Sequence, residues 1–327
     1  MKSFYIFVFL FFSLLVGHAQ VYKKAEPYTH TYSIVARDSV TGNMAVAVQS
    51  HWFSVGSVVI YGQAGVGVVA TQALVNPSYG PNGLKLMSEG KSPKAALEEL
   101  LTEDEGQMYR QVAFLNGNGD VAAHTGDLCI GEAGHYVGKN FSVQANMMLK
   151  NTVWKAMAKA YETTKGDLST RIIAAMKAAE AEKGDIRGSQ SAAIKIVKAE
   201  STGNSWEDTV MDLRVEDHEN PVAELERLIG IQKAYDFMNK GDVAMEKGDS
   251  KLAEELYLSA QKLYPDNIEM QYWYGINLLN NKEFDRAHKV LKPIFKKDNN
   301  WKILTGRLMD SKLLSISDEE LKKVMSW

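Results

Sequence analysis

The chain has 327 residues, enough for two domains that each bury a core of their own. Its 45% hydrophobic and 24% charged content is that of a globular protein, which excludes a disordered or fibrous chain. A formal net charge of -3, without a basic run, gives no electrostatic footprint for nucleic acid, and none is expected as a partner.

In chain order, the first segment reads as a leader. Lys2 supplies a short positive region, residues 4–16 are nearly all apolar, and Gly17-His18-Ala19 offers the small residues a signal peptidase reads. Residues 1–19 are therefore expected to be a signal peptide cleaved before Gln20, with the protein exported to the periplasm or secreted. An apolar run that short does not comfortably span roughly 30 Å of hydrocarbon, so no membrane anchor is expected after leader removal. Residues 20–30 are polar and predicted to form a flexible arm.

From residue 31 the apolar period becomes two. Residues 31–38 (TYSIVARD) and 44–50 (MAVAVQS), joined by a Thr41-Gly42 turn, predict a β-hairpin. Further strands are expected at residues 57–61 and 66–71, and the near-continuous apolar runs suggest cover on both faces. Residues 79–87 and 92–101 predict helices, the second opened by Ser92 and Pro93. Strands follow at 111–115, 121–124 and 140–145, then helices at 152–164 and 168–183, then strands at 191–198 and 210–215. Without strict βαβ alternation, this order predicts an α+β layered fold with antiparallel sheets. Cys129 is the single cysteine, so it forms no internal disulfide and is read as a small buried group.

Beyond the charged, Pro221-ended boundary the chain is helical and repeats. Residues 234–267 align with 268–301, Gly241 falling on Gly275 and Ala253 on Ala287. Tyr257, Ala260 and Pro265 fall where a tetratricopeptide repeat wants an aromatic, a small residue and a helix-ending proline. Residues 229–327 are thus expected to be a small all-α, tetratricopeptide-like domain. Tyr272, Trp273, Tyr274 and Trp301 either line a groove for a protein partner or fill a short helical stack, and the second reading is preferred.

Chemistry is sparse. His51, His124, His135 and His218 lack metal-ligand spacing, and no metal or other cofactor is predicted. The glycine-rich stretches carry neither a phosphate-loop lysine nor a nucleophile elbow. The hairpin offers more, because it sets Thr31 opposite Ser50 and His51. A threonine at the head of a strand, with its amine or an imidazole as base, is one form of activated nucleophile.

Several stretches carry a resemblance: TYSIVARD (31–38), VAVQSHWFSVGSVV (46–59), AGVGVVATQALVNPSYGPNGL (64–84), RQVAFLNGNGDVAAHTG (110–126), GHYVGKNFSVQANMML (134–149), GDIRGSQSAA (184–193) and LRVEDHENPVAEL (213–225). Through them residues 31–228 resemble family 1028 of the domains of unknown function, related in fold to N-terminal-nucleophile hydrolases. The resemblance implies a four-layer αββα sandwich of two antiparallel sheets between helical layers. It places the nucleophile on Thr31, with Ser50 and His51 as catalytic support. It also marks Gln72, Asn76, Gln144 and Asn146 as polar positions able to orient a substrate or an oxyanion. Here residues 20–30 precede Thr31, so a free amine requires a second cut, between His30 and Thr31. The expected function is an extracytoplasmic hydrolase of amide or similar bonds in a small molecule, with a homo-oligomer allowed. The alternative is a non-catalytic small-ligand-binding or scaffold protein whose helical tail docks a partner.

Overall fold

The computed structural model describes residues 28–327; the leader and most of the arm lie outside them. After Leu225 the chain divides into two compact units.

In the first unit, β2 (Thr31–Arg37) and β3 (Met44–Ser50) form the predicted hairpin, in register from Thr31 opposite Ser50 to Arg37 opposite Met44. Asp38 closes the turn by accepting the backbone N–H groups of Val40 and Thr41 at 2.9 and 2.7 Å, and Gly42 supplies the positive φ of +75°. These strands sit inside a six-stranded antiparallel sheet with β8 (Gly134–Gly138), β9 (Phe141–Ala145), β10 (Ser191–Val197) and β11 (Thr209–Val215), ordered β11-β10-β3-β2-β9-β8. A second antiparallel sheet runs β1 (Tyr28–Thr29), β5 (Gly67–Leu74), β6 (Arg110–Asn116), β7 (Val121–Thr125), with β4 (Ile60–Gln63) also paired to β5.

Three expectations need correction. Residues 57–61 are not one strand: helix α1 (Gly56–Val59) precedes β4. Val55, Val58 and Val59 have helical spacing, and a short apolar run fits either period. Strand β8 was not predicted, because its exposed middle residues carry no inward-facing apolar alternation. The expected arm also ends sooner: Tyr28 and Thr29 pair with Leu74 and Ala73 of β5, and His30 is buried.

Helices α2 (Tyr79–Ser88) and α3 (Pro93–Glu103) pack on the second sheet, joining Tyr79, Leu84, Met87 and Leu97 to Val69, Val112 and Phe114. Ser92 caps α3 by accepting from the Ala95 N–H, as its sequence position predicts. Helices α4 (Val153–Thr163) and α5 (Leu168–Ala181) meet the six-stranded sheet: the Phe141 and Tyr161 rings lie 4.6 Å apart, and Tyr32 donates to Glu180. A further cluster unites both sheets, with Val35, Val46 and Val48 against Val68, Ala70, Ala113 and Leu115, all fully buried. Each valine or leucine side chain among them contributes about 1.5–3 kcal/mol through removal from water.

The second unit is helical. Helix α6 (Pro221–Glu246) crosses the division, followed by α7 (Ser250–Leu263), α8 (Ile268–Asn280), α9 (Phe284–Lys297), α10 (Asn299–Arg307) and α11 (Asp318–Met325). Helices α7 and α9 begin 34 residues apart (250, 284) and end 34 apart (263, 297), so the predicted period is structural. A Cβ on Gly241 would meet the Tyr257 ring at 2.9 Å, and one on Gly275 would meet Leu291 at 2.5 Å. The same close approach thus recurs one repeat later. Tyr272 is fully buried, with the partly buried Trp273 and Trp301 rings 5.3 and 4.7 Å away and packed against the same core cluster. Among the described residues no helix is long and apolar enough to cross a membrane.

Candidate functional site

Strand alternation gives β2 an inward face of Thr31, Ser33 and Val35. Opposite them on β3 lie Ser50, Val48 and Val46. β5 contributes Gln72, Ala70 and Val68, and β6 contributes Gln111, Ala113 and Leu115. The inward faces of these four strands are therefore polar toward one side of the molecule and turn apolar along their length. The polar ends meet around Thr31.

Their donors and acceptors interlock in one consistent way. The Thr31 carbonyl accepts from the Asn146 backbone N–H (3.1 Å), from Asn146 Nδ2 (3.3 Å) and from Gln72 Nε2 (3.2 Å). Because a carbonyl only accepts, those amide nitrogens are fixed, and both also donate to Gln111 Oε1, at 2.9 and 2.6 Å. Gln111 Nε2 in turn donates to the Ala145 carbonyl at 2.9 Å. On the far side, Ser33 donates to Gln72 Oε1 (2.5 Å) and accepts from Gln144 Nε2 (2.7 Å), while Gln144 Oε1 accepts from Ser142 (3.0 Å). Gln72, Gln111, Gln144 and Asn146 are all fully buried. Satisfied networks of this kind hold one geometry, whereas each unpaired buried group would cost about 1–3 kcal/mol.

Just ahead of Thr31, the His30 carbonyl accepts from the Ser50 hydroxyl at 2.6 Å and from Arg187 Nη2 at 2.8 Å. Arg187 is held by Asp185 through a 2.7 Å ion pair, and that carboxylate also accepts the His51 backbone N–H at 3.3 Å. The His30 ring places Nδ1 2.9 Å from Asn146 Oδ1; as that oxygen can only accept, Nδ1 carries the proton. Burial lowers the His30 pKa below 6.5, and Arg187 adds to this, against the opposing Asn146 hydrogen bond and Asp185 charge. The ring is neutral at pH 7. Thr31 itself is fully buried, its hydroxyl donating to the Thr29 carbonyl at 2.8 Å.

Of the residues singled out from sequence, Thr31, Ser50, Gln72, Gln144 and Asn146 come together. His51 does not join them through its ring, which is exposed while its backbone faces Asp185. Asn76 stands apart: its Oδ1 accepts the Ser78 N–H (3.1 Å) and hydroxyl (2.7 Å), shaping the turn into α2. Sequence reasoning missed His30, Ser33, Gln111, Asp185 and Arg187. Ser33 and Gln111 were findable as polar residues on the inward face of otherwise apolar strands. Arg187 lies 157 residues from His30, and no local signal links them. Cys129 is half-buried, and burial pushes its thiol up to about 11, so it is unreactive at neutral pH.

A second ion pair, with Arg110 buried and Asp104 partly so, braces the end of β5. Arg110 donates to the Leu74 carbonyl at 2.7 Å and to both Asp104 oxygens, at 2.7 and 3.1 Å. Burial raises the Asp104 pKa, but the Arg110 hydrogen bond and charge outweigh it and leave the carboxyl below its usual value. Next to it Ala73 adopts φ +72°, a left-handed conformation that costs a non-glycine residue about 1 kcal/mol.

Residues 31–225 match the model of a family described as a family of unknown function, DUF1028. Among solved structures, the crystal structure of protein SPO2555 from Silicibacter pomeroyi, also assigned to DUF1028, is 29% identical. The match has a TM-score of 0.56 and covers 63% of this chain and 89% of that one. Anbu, an ancestral β-subunit from Yersinia bercovieri, is 11% identical with a TM-score of 0.33, covering 61% of this chain and 93% of that one. No curated protein matches.

Proposed function

The chain belongs to the DUF1028 family, and we propose that it is an exported hydrolase of amide or similar bonds in a small molecule, with Thr31 as nucleophile. The fold reading behind this is an αββα sandwich of N-terminal-nucleophile type, carrying a tetratricopeptide-like tail. The observation that carries the proposal is the His30 carbonyl, the acyl group next to Thr31, seated between the Ser50 hydroxyl and the Arg187 guanidinium. Two donors, one of them charged, aimed at a carbonyl oxygen are what a developing oxyanion requires.

In the uncut chain the hydroxyl of Thr31 is occupied by Thr29 and its nitrogen lies within a peptide bond. A cut there activates the site. Thr31 Oγ adds to the His30 carbonyl carbon, the C–N bond breaks, and the hydroxyl proton ends on the departing nitrogen. Water then hydrolyses the resulting ester, leaving a His30 carboxyl group and a Thr31 with free amine and free hydroxyl. That amine is the base for later turnovers, and Ser50 and Arg187 hold the substrate oxygen where the His30 oxygen had been. Gln72 and Asn146 fix the backbone of residue 31 through its carbonyl.

Turnover of a panel of small amides and esters tests this. Thr31→Ala should abolish hydrolysis, and Thr31→Ser should retain part of it. Full activity in Thr31→Ala would contradict the proposal. The enclosed Thr31 favours a second reading for any protein that stays uncut: a ligand-binding or scaffold protein, inert toward amides.

A further inference from the structure

We propose that the site takes an extended peptide, or a peptide-like acyl chain, that adds as a strand to the edge of β5 with its acyl carbonyl between Ser50 and Arg187. This deepens the hydrolase reading by naming its substrate class, and it rests on that reading only for the chemistry that follows binding.

The argument begins with the edges of β5. One edge is paired along its length with β6, from Gly67 opposite Asn116 to Ala73 opposite Arg110. The other is paired with β4 only as far as Ala70 opposite Ile60, because the chain before Ile60 turns away as the α1 helix. Among the described residues β4 leaves the edge beyond Ala70 open to another strand, and such an edge is a template for an added strand. In this chain the arm takes that place, Thr29 opposite Ala73 and Tyr28 opposite Leu74. It delivers the His30 carbonyl to its two donors. The arm thus traces the path of an acyl chain through the site.

Three details fit an exchangeable occupant rather than a built-in strand. Among the described residues the pairing covers two positions, Tyr28 and Thr29. The Thr29 hydroxyl is buried with no hydrogen-bond partner among the described residues, a poor fit for a permanent resident. The receiving edge, by contrast, is braced, since Arg110, itself held by Asp104, donates to the Leu74 carbonyl. The cradle also has a chemical preference. Asp185 already neutralises Arg187, so the site offers hydrogen bonds to a neutral carbonyl rather than net positive charge to a free carboxylate.

The test uses the full chain with its arm weakened. Thr29→Pro removes the arm's backbone donor, and Thr29→Gly loosens the arm without that constraint. Binding of acetyl-Tyr-Thr-His-amide is followed by ligand-observed NMR, beside the same peptide N-methylated at Tyr and Thr, and beside acetyl-His-amide. The expected result is saturable binding to one or both variants, at least tenfold weaker to the unaltered uncut chain. It should also be at least tenfold weaker for the N-methylated and single-residue probes. Equal binding of the N-methylated peptide, or no binding to either variant, overturns the proposal. The two readings can fail separately. Strand-dependent binding without cleavage of the matching anilide removes the hydrolase and keeps the groove. Cleavage of small amides regardless of length or N-methylation keeps the hydrolase and removes the groove.

Discussion

The two ends of the space between the sheets are built from the same strands and differ only in which inward residues they carry. At one end Val35, Val46, Val68, Ala113 and Leu115 pack without a polar atom among their side chains. At the other, Thr31, Ser33, Ser50, Gln72 and Gln111 are as deeply buried, and each of these side chains has a hydrogen-bond partner. Filling the second end with valine would have given ordinary burial at lower risk, since one lost partner leaves a buried dipole unsatisfied. The difference teaches that this end is specified for the position of one stretch of backbone, residues 30–31, rather than for stability.

The largest effect that would sharpen this contrast lies at its brace. Asp104→Ala removes the charged hydrogen-bond acceptor from the buried Arg110 guanidinium and should cost about 1.5–3 kcal/mol in denaturant unfolding. A loss below about 1 kcal/mol would mean that the end of β5 needs no such support. A reciprocal swap probes the contrast directly. Ser33→Val strips Gln72 Oε1 of a donor and Gln144 Nε2 of an acceptor, while Val46→Thr, opposite Val35, puts a hydroxyl into the apolar end. Each should cost about 1–3 kcal/mol, where each residue would be harmless at the other end. If Ser33→Val stabilised the protein, the polar end would not be the specified network described above.

The smallest effect is in pH. In the uncut chain burial holds the His30 pKa below its ordinary 6.5. The unfolded chain therefore binds a proton that the folded chain refuses, and this contribution to stability is lost as pH falls below about 6.5. Comparing melting temperatures of the unaltered chain and His30→Asn between pH 7.5 and 5.5 should show a shallower decline in the variant. Identical slopes would place His30 in contact with solvent.

Much of this was legible in the sequence, for physical reasons that differ by element. The Thr31–Ser50 register followed from period-two alternation on both sides of a short turn, which leaves one pairing that keeps the apolar face inward. The 34-residue period followed from small residues recurring where helices touch. Strand β8 and helix α1 were not legible, the first because its residues face water and the second because a run of valines fits two periods. At the site, Thr31, Ser50, Gln72, Gln144 and Asn146 were marked in advance. Arg187 and Asp185 were not, because they reach His30 and His51 from distant loops, and only the folded chain sets them there. Asn76 was marked for chemistry and serves a turn.

The central claim is that the peptide ahead of Thr31 sits in the machinery that later holds a substrate. Amino-terminal sequencing and intact mass of the exported protein test it most directly, together with the same measurements on Thr31→Ala and Ser50→Ala. The account predicts a chain beginning at Thr31, a Thr31→Ala chain that keeps His30, and a Ser50→Ala chain cut more slowly. An unaltered protein that begins at Gln20 and stays so on storage would contradict it.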